Sequence, residues 1–136
     1  MLEEKEKIYE FYVAGVQHHQ LHTCIDQIKV GDELTLELDP TNRFDPNAVK
    51  ILFEKNRDKD QYIMIGFVPK AKGDYSTKVT ALIDIKPIKC IVTEINPQAK
   101  TYEQLKVAIV EDEDWKVYEE VDSLLEKAFE GGDEIA

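Results

Sequence analysis

The chain has 136 residues, of which 43% are hydrophobic and 33% charged, and its formal net charge is −11. This length predicts one domain that buries its own core without disulfides or metal ions as staples. No apolar run approaches the length of a membrane span, and no signal-like segment follows Met1, so we expect a cytoplasmic protein without a membrane partner. Cys24 and Cys90 are too few for a disulfide framework and are expected to be reduced thiols.

The negative charge is concentrated toward the C-terminus. Residues 101–136 hold 12 of the 28 acidic residues but only three of the 17 basic residues. The first 100 residues are therefore nearly neutral. A nearly neutral charge excludes a long basic surface that follows a nucleic acid, but it permits contact with the end of a nucleic-acid strand.

Alternating apolar residues between turn signals predict six short strands, at 8–16, 33–38, 48–54, 62–68, 88–95 and 104–110. The first strand is apolar on both faces, which predicts a central place in the sheet. A short helical turn is predicted over 24–28. After the fourth strand, Asp74 is a predicted N-cap of a helix that reaches about residue 85 and ends before Pro87. The predicted fold class is mainly β: a small, closed or half-closed six-stranded barrel with one inserted helix.

A second helix is predicted in the acidic C-terminal segment. Its apolar positions fall at helical spacing and are Val117, Val121, Leu124, Leu125, Ala128 and Phe129. We therefore divide the chain into a β domain at 8–110 and an acidic helical extension at 111–136. The apolar face of this helix either packs on the β domain or offers a surface to a protein partner.

The loop between the second and third strands contains two Asp-Pro dipeptides, Asp39-Pro40 and Asp45-Pro46. Each suits a type I turn, because proline presets φ and the carboxylate accepts hydrogen bonds from nearby backbone N–H groups. Turn formation does not explain Arg43 and Phe44, which lie between the two turns. Phe44 either folds back into the core, which is the usual fate of phenylalanine, or forms an exposed platform for a ligand.

A histidine-rich segment, with His18, His19, His22 and Cys24, follows the first strand. Zinc accepts these ligand types, but structural sites usually draw ligand pairs from two separate segments, and no Cys-x-x-Cys partner is present. A polar loop with exposed histidines is the preferred interpretation. We predict no bound metal and no other cofactor.

Four stretches together resemble the HIRAN domain, a module of repair-associated DNA translocases that also occurs as short free-standing bacterial proteins. The first is the loop sequence D-P-T-N-R-F-D-P-N-A-V-K-I at 39–51. The others are the opening strand at 11–16, a Gly-Asp pair within 30–36, and I-G-F-V-P-K at 65–70. They occur in the family's order over roughly residues 10–95, which suggests a free-standing bacterial-type member.

The resemblance implies an OB-like barrel that binds single-stranded DNA at a 3′-OH end, in DNA repair or replication-fork processing. Carried over position by position, it implies nucleic-acid-binding roles for Gln17, His18, His19, Asn42, Arg43, Phe44, Asp45, Asn47, Phe67 and Lys70. Phe44 would stack on the terminal base, Asp45 would accept a hydrogen bond from the 3′-hydroxyl, and Lys70 would contact a phosphate. Gln17, His18 and His19 stand where DNA-binding members carry a basic residue and aromatics, which implies modest affinity.

Catalysis finds little support in the residues themselves. No Ser-His-Asp or Cys-His arrangement follows from spacing, and no Walker-type glycine-rich loop is present. We therefore predict a non-enzymatic binding module. The alternative function is a protein-interaction module that keeps this scaffold and does not bind DNA.

Overall fold

The computed structural model of the protein describes residues 6–54 and 61–112. Six strands form within these ranges: β1 Lys7–Tyr12, β2 Glu33–Leu38, β3 Val49–Glu54, β4 Tyr62–Phe67, β5 Ile88–Ile95 and β6 Leu105–Glu111. Two α-helices accompany them, the short α1 at Leu21–Cys24 and the longer α2 at Tyr75–Ile85. Three 3₁₀ turns occupy Val16–His18, Ile25–Gln27 and Thr101–Glu103. The predicted mainly-β class is confirmed, as is the helix after the fourth strand.

The strands form one antiparallel sheet in the order β1-β6-β5-β2-β3-β4. In the described part of the chain, no continuous ladder closes this sheet into the predicted barrel. A single bridge pair links its two outer strands, because Ala14, just beyond β1, exchanges both backbone hydrogen bonds with Phe67 at 2.8 Å. This bridge brings the chain after β1 beside the end of β4.

The prediction of a central β1 is wrong, because β1 is the first strand in the order and, among the described strands, forms a ladder only with β6. One face of β1, which carries Tyr9 and the buried Phe11, packs against α2. The Tyr75 ring of α2 lies 5.7 Å from the Tyr9 ring and 5.0 Å from the Phe11 ring, measured between centroids. Aromatic packing against α2 therefore explains the apolar character of the face of β1 that carries Tyr9 and Phe11.

The core lies between the sheet and α2, and every strand contributes to it. Its buried members include Phe11, Leu34, Ile51, Ile65, Val79, Val92 and Ile109. Alternation of buried and half-buried residues along β3, from Val49 to Phe53, shows the period-2 pattern on which the strand predictions depend. Lys86 follows the last residue of α2 with extended backbone, and Pro87 then prevents the helix from continuing.

No helix within the described ranges is long and apolar enough to cross a membrane. The predicted C-terminal helix, with its apolar positions from Val117 to Phe129, lies outside the described residues. Of the predicted extension at 111–136, the structure describes Glu111, which ends β6, and Asp112. The domain boundary at 110 stays a prediction.

Candidate nucleic-acid interface

The loop between β2 and β3 contains both predicted turns. The Asn42 N–H donates to the Asp39 carbonyl oxygen at 3.1 Å, and the Ala48 N–H donates to the Asp45 carbonyl oxygen at 3.0 Å. Each is the hydrogen bond from residue i+3 to residue i that defines a closed β-turn. Arg43 and Phe44 lie between the two turns and form a short crest of the loop.

Asn42 fixes the shape of this crest. Its side-chain Oδ1 accepts hydrogen bonds from the backbone N–H groups of Phe44 at 2.9 Å and Asp45 at 3.0 Å. Its Nδ2 donates to Oδ2 of Asp39 at 3.1 Å. These three bonds tie the crest to the first turn, so the loop is held in place by its own side chains.

Phe44 projects from the crest and is 91% exposed, so the interpretation in which it folds into the core is wrong. Beside it lies a pocket of about 240 Å³ whose lining includes Asn42, Phe44, Asp45, Phe67 and Lys70. Ala14, Gly15, Ala48, Val68 and Pro69 complete the lining. A large, exposed aromatic ring held beside an apolar pocket is the arrangement that stacks on a planar ligand group.

Asp45 is the one buried carboxylate of this loop, at 8% exposure. Its Oδ1 accepts a hydrogen bond from the Asn47 N–H at 2.9 Å, and its Oδ2 accepts one from the Ser76 hydroxyl at 2.7 Å. The ammonium of Lys70 lies 3.7 Å from Oδ1. Burial raises the pKa of Asp45, but the hydrogen bonds from Ser76 and Asn47 and the charge of Lys70 outweigh it, so this pKa lies below its ordinary value.

The N-terminal half of α2 supports the loop through three polar side chains. Besides the bond from Ser76, the Thr80 hydroxyl donates to the Asn47 carbonyl oxygen at 2.8 Å. The Asn47 amide Nδ2 lies 3.4 Å from the Thr77 hydroxyl. Asn47 thus binds the helix and stands outside the pocket lining, so its position suits support of the loop better than contact with a ligand.

Sequence reasoning missed these helix residues, although a signal for Ser76 was present. Ser76 shares the buried face of α2 with Val79 and Leu82, and a hydroxyl at such a position needs a hydrogen-bond partner. The identity of that partner was not readable, because Asp45 lies 31 residues earlier in the chain.

The histidine-rich segment reaches the site through one of its rings. His19 is half-buried, and its ring meets that of Phe67 edge-on at 5.4 Å between centroids. Burial, followed by the charges of His18 and Lys50, lowers the pKa of His19, which favours the neutral imidazole. Gln17 and His18 are exposed on the neighbouring 3₁₀ turn, outside the pocket lining, and exposed Arg43 is outside it too.

Tyr102 is a second exposed aromatic residue near this segment, and sequence reasoning missed it. It is 55% exposed and belongs to the turn Thr101–Glu103, which contacts the turn Val16–His18. The ammonium of Lys100 lies 6.0 Å from the centre of the Tyr102 ring. Tyr102 and Lys100 therefore add an exposed aromatic ring and a cation next to the turn that carries His18.

The metal ligands considered for the histidine-rich segment do not converge in the described residues. Cys24 is fully buried, with its sulfur 3.8 Å from the Gln20 carbonyl oxygen, whereas His18 and His22 are exposed. Within residues 6–54 and 61–112, no group of three His, Cys, Asp or Glu side chains is arranged to hold a metal ion. The absence of a bound metal stays a prediction.

The loop and the end of β4 enclose one pocket on a small β domain. The family model for the HIRAN domain matches residues 7–111, which is most of the chain. The chain belongs to the HIRAN domain family, and the resemblance seen in its motifs is confirmed. No catalytic family is indicated by the comparisons.

Two solved structures are similar to this fold. A protein from Lactobacillus plantarum superposes with a TM-score of 0.61 at 17% identity, over 77% of this chain and 92% of that one. The HIRAN domain of human HLTF gives a TM-score of 0.48 at 16% identity, over 78% of this chain and 77% of that one. No curated protein sequence gives a significant match.

Proposed function

We propose that this HIRAN domain is a DNA-binding module that holds a single-stranded 3′ end in the pocket beside Phe44. One observation carries the proposal: Phe44 is 91% exposed on a loop that its own hydrogen bonds hold in place. Because these hydrogen bonds already hold the loop in place, a base can stack on Phe44 without a rearrangement of the loop. Stacking of this kind contributes about 1–3 kcal/mol per base and is tolerant of sequence.

The carboxylate of Asp45 is proposed to recognise the 3′-hydroxyl. Each carboxylate oxygen accepts more than one hydrogen bond, so the bonds from Ser76 and Asn47 do not exhaust its capacity. Lys70, 3.7 Å from Oδ1, would then contact the adjoining phosphate. A terminal phosphate in place of the hydroxyl would remove the donor and set a second anion against the carboxylate.

His19 and Phe67 are proposed to form the opposite wall for the terminal nucleotide. A neutral imidazole packed on an aromatic ring offers a flat face and a hydrogen-bonding nitrogen, but no fixed positive charge. Gln17, His18 and Arg43 would contact the strand from the exposed rim. Few cations are involved, so we expect modest affinity that other modules or partners strengthen.

We further propose that this binding is not coupled to catalysis. A general base works best when its pKa is near the working pH, and the pKa of Asp45 is shifted the other way. A hydrogen-bonded carboxylate that is charged at neutral pH suits recognition of a hydroxyl better than proton transfer. A role in DNA repair or replication-fork processing, in the cytoplasm, is the corresponding biological proposal.

The test is fluorescence anisotropy with matched oligonucleotides: single strands ending in a 3′-hydroxyl, the same strands ending in a 3′-phosphate, and a blunt duplex. We expect the 3′-hydroxyl single strand to bind tightest, by roughly tenfold or more over the 3′-phosphate. Equal binding of the two single strands would overturn recognition of the end. Lack of binding to every oligonucleotide would favour the alternative, a protein-interaction module.

A further inference from the structure

A second concavity lies at the opposite end of α2 from the Phe44 loop. It is a groove of about 350 Å³ between β2, β5 and the end of α2, and we name it the β2–β5 groove. Its lining is Glu33, Leu34, Thr35, Leu36, Ile83, Lys86, Pro87, Ile88, Lys89 and Cys90. None of these residues belongs to the proposed DNA site.

The groove exists because β2 and β5 diverge. Their ladder consists of Glu33 opposite Ile91 and Leu34 opposite Cys90. Beyond these pairs β2 continues along β3, while the start of β5 continues along β6. The half-buried side chains of Leu36, Ile83 and Ile88 are left facing the gap, which gives the groove an apolar floor.

The chain beyond β6 starts at the rim of this groove. The Asp112 N–H donates to the Pro87 carbonyl oxygen at 3.1 Å, and Oδ1 of Asp112 lies 3.5 Å from the ammonium of Lys89. Pro87 and Lys89 both line the groove. Residues 113–136 therefore continue from a point that is fixed to the groove wall.

Charge and pattern in residues 113–136 match the groove. In sequence, Glu113 and Asp114 follow Asp112 directly, and the apolar positions from Val117 onward come next at helical spacing; the groove rim carries Lys86 and Lys89. If these residues form the predicted helix, with a rise of 1.5 Å per residue, Val121 would lie roughly 14 Å along the helix from Asp112, within reach of the groove.

We propose that the β2–β5 groove is the docking site for the acidic C-terminal segment of the same chain. The apolar positions from Val117 to Leu125 would cover Leu36, Ile83 and Ile88, and the acidic residues would face Lys86 and Lys89. The Phe44 loop meets α2 at Ser76 and Thr80, so docking at the other end of the helix keeps the acidic segment away from DNA.

The first test changes the segment, leaves the β domain untouched, and uses the full-length chain with labelled methyl groups. Leu124→Glu combined with Leu125→Glu should shift the NMR signals of Leu36, Ile83 and Ile88, while Ile63 on β4 serves as an internal control and stays in place. Unshifted groove signals, or shifts confined to another surface, would overturn the proposal.

The second test changes the groove and uses Trp115, the only tryptophan in the chain, as a reporter. Ile83→Glu should make Trp115 more accessible to acrylamide quenching. The control Ile85→Glu adds the same charge to the same helix at a position that is 76% exposed and outside the groove, and it should change nothing. Equal quenching in the wild type and both variants would contradict docking.

Molecular mass in solution identifies the occupant. Docking within one chain predicts a monomer at all protein concentrations in light scattering. A dimer that dissociates in the Leu124→Glu, Leu125→Glu variant would assign the groove to the segment of a second copy and overturn the proposal as stated.

Discussion

The Ser76 hydroxyl donates a 2.7 Å hydrogen bond to Oδ2 of Asp45, across 31 residues of sequence. Ser76 is fully buried and Asp45 nearly so, which makes this bond one between two desolvated groups. It joins the first turn of α2 to the loop that carries Phe44. Because a charged acceptor strengthens such a bond, it is well suited to hold the loop in its binding shape.

Two substitutions separate the structural role of Asp45 from its proposed role in recognition. Asp45→Asn removes the negative charge and should abolish most of the preference for a 3′-hydroxyl over a 3′-phosphate. Ser76→Ala keeps the carboxylate but removes its hydrogen-bond donor. It should therefore weaken the binding of the 3′-hydroxyl and 3′-phosphate oligonucleotides alike and keep the preference between them. Fluorescence anisotropy on both variants measures this. Identical preferences in the two variants would mean that Asp45 acts only through the shape of the loop.

The hydrogen bond between Ser76 and Asp45 should contribute more to the stability of the fold than an exposed hydroxyl does. Ser76→Ala leaves a buried carboxylate oxygen without its hydroxyl donor, and we expect it to lower the free energy of unfolding by about 1–3 kcal/mol. Thr101→Ala, at an exposed position in the turn Thr101–Glu103, is a hydroxyl deletion outside both the pocket and the β2–β5 groove, and it should cost much less. Urea unfolding followed by circular dichroism compares them, and equal costs would contradict a supporting role for Ser76.

Phe44→Ala should weaken the binding of the 3′-hydroxyl and 3′-phosphate oligonucleotides equally, because stacking does not depend on the terminal group. Loss of one stacked base corresponds to about 5- to 150-fold in dissociation constant. Stability should hardly change, since the ring buries little surface in the folded protein. Tyr62→Ala removes another exposed aromatic, on β4 and outside the pocket, and should leave binding intact. Equal binding by Phe44→Ala and the wild type would remove Phe44 from the site.

Local features of this fold were predictable from sequence, and long-range ones were not. The Asp-Pro dipeptides specify turns through bonds within four residues, and both turns form as predicted. Alternation specifies which face of a strand is buried, but it does not name the neighbouring strand. The position of β1 at the edge of the sheet was therefore missed, because it depends on the pairing of β1 with β6, at the far end of the described chain.

In the candidate site, too, the local features were predictable from sequence and the long-range contacts were not. The resemblance brought forward Asn42, Phe44 and Asp45 as a group, and the structure places all three on one pocket. It did not indicate that Asn42 shapes the crest or that α2 supports the loop, because the partners of Asp45 and Asn47 lie about 30 residues away on the helix. Such pairings depend on the folded positions of two separate elements, which a single sequence does not specify.

Asp45 should also contribute to the pH dependence of stability. Its pKa is lower in the folded chain than in the unfolded chain, so the stabilisation is present at neutral pH and is lost as the pH falls below about 4. Unfolding free energies measured from pH 7 downward should fall less steeply in Asp45→Asn. Ser76→Ala should flatten the curve in part, because its hydroxyl helps to lower this pKa. Curves parallel to the wild type in both variants would contradict the assignment.

Gly66 tests whether the bridge between the sheet edges positions the binding site. A Cβ atom at this residue would lie 2.5 Å from the Ala14 carbonyl oxygen and 2.5 Å from Cγ1 of Val13, so the chain after β1 must move away. Gly66→Ala should therefore break the Ala14–Phe67 bridge and lower the free energy of unfolding by about 1–3 kcal/mol or more. Because Phe67 and Ala14 both line the pocket, oligonucleotide binding should weaken in the fraction that remains folded.

Gly31→Ala is the control for Gly66→Ala. Gly31 has a φ of +96°, and among the described residues no atom other than those of its chain neighbours lies within 4 Å of the place that a Cβ would take. Alanine there adds backbone strain outside the pocket lining without a steric clash. It should lower stability while binding per folded molecule stays at the wild-type level. Titrations are compared at a temperature where circular dichroism shows both variants folded. If Gly66→Ala also bound like the wild type, the bridge would be a purely structural closure, and the positions of Phe67 and His19 would not depend on it.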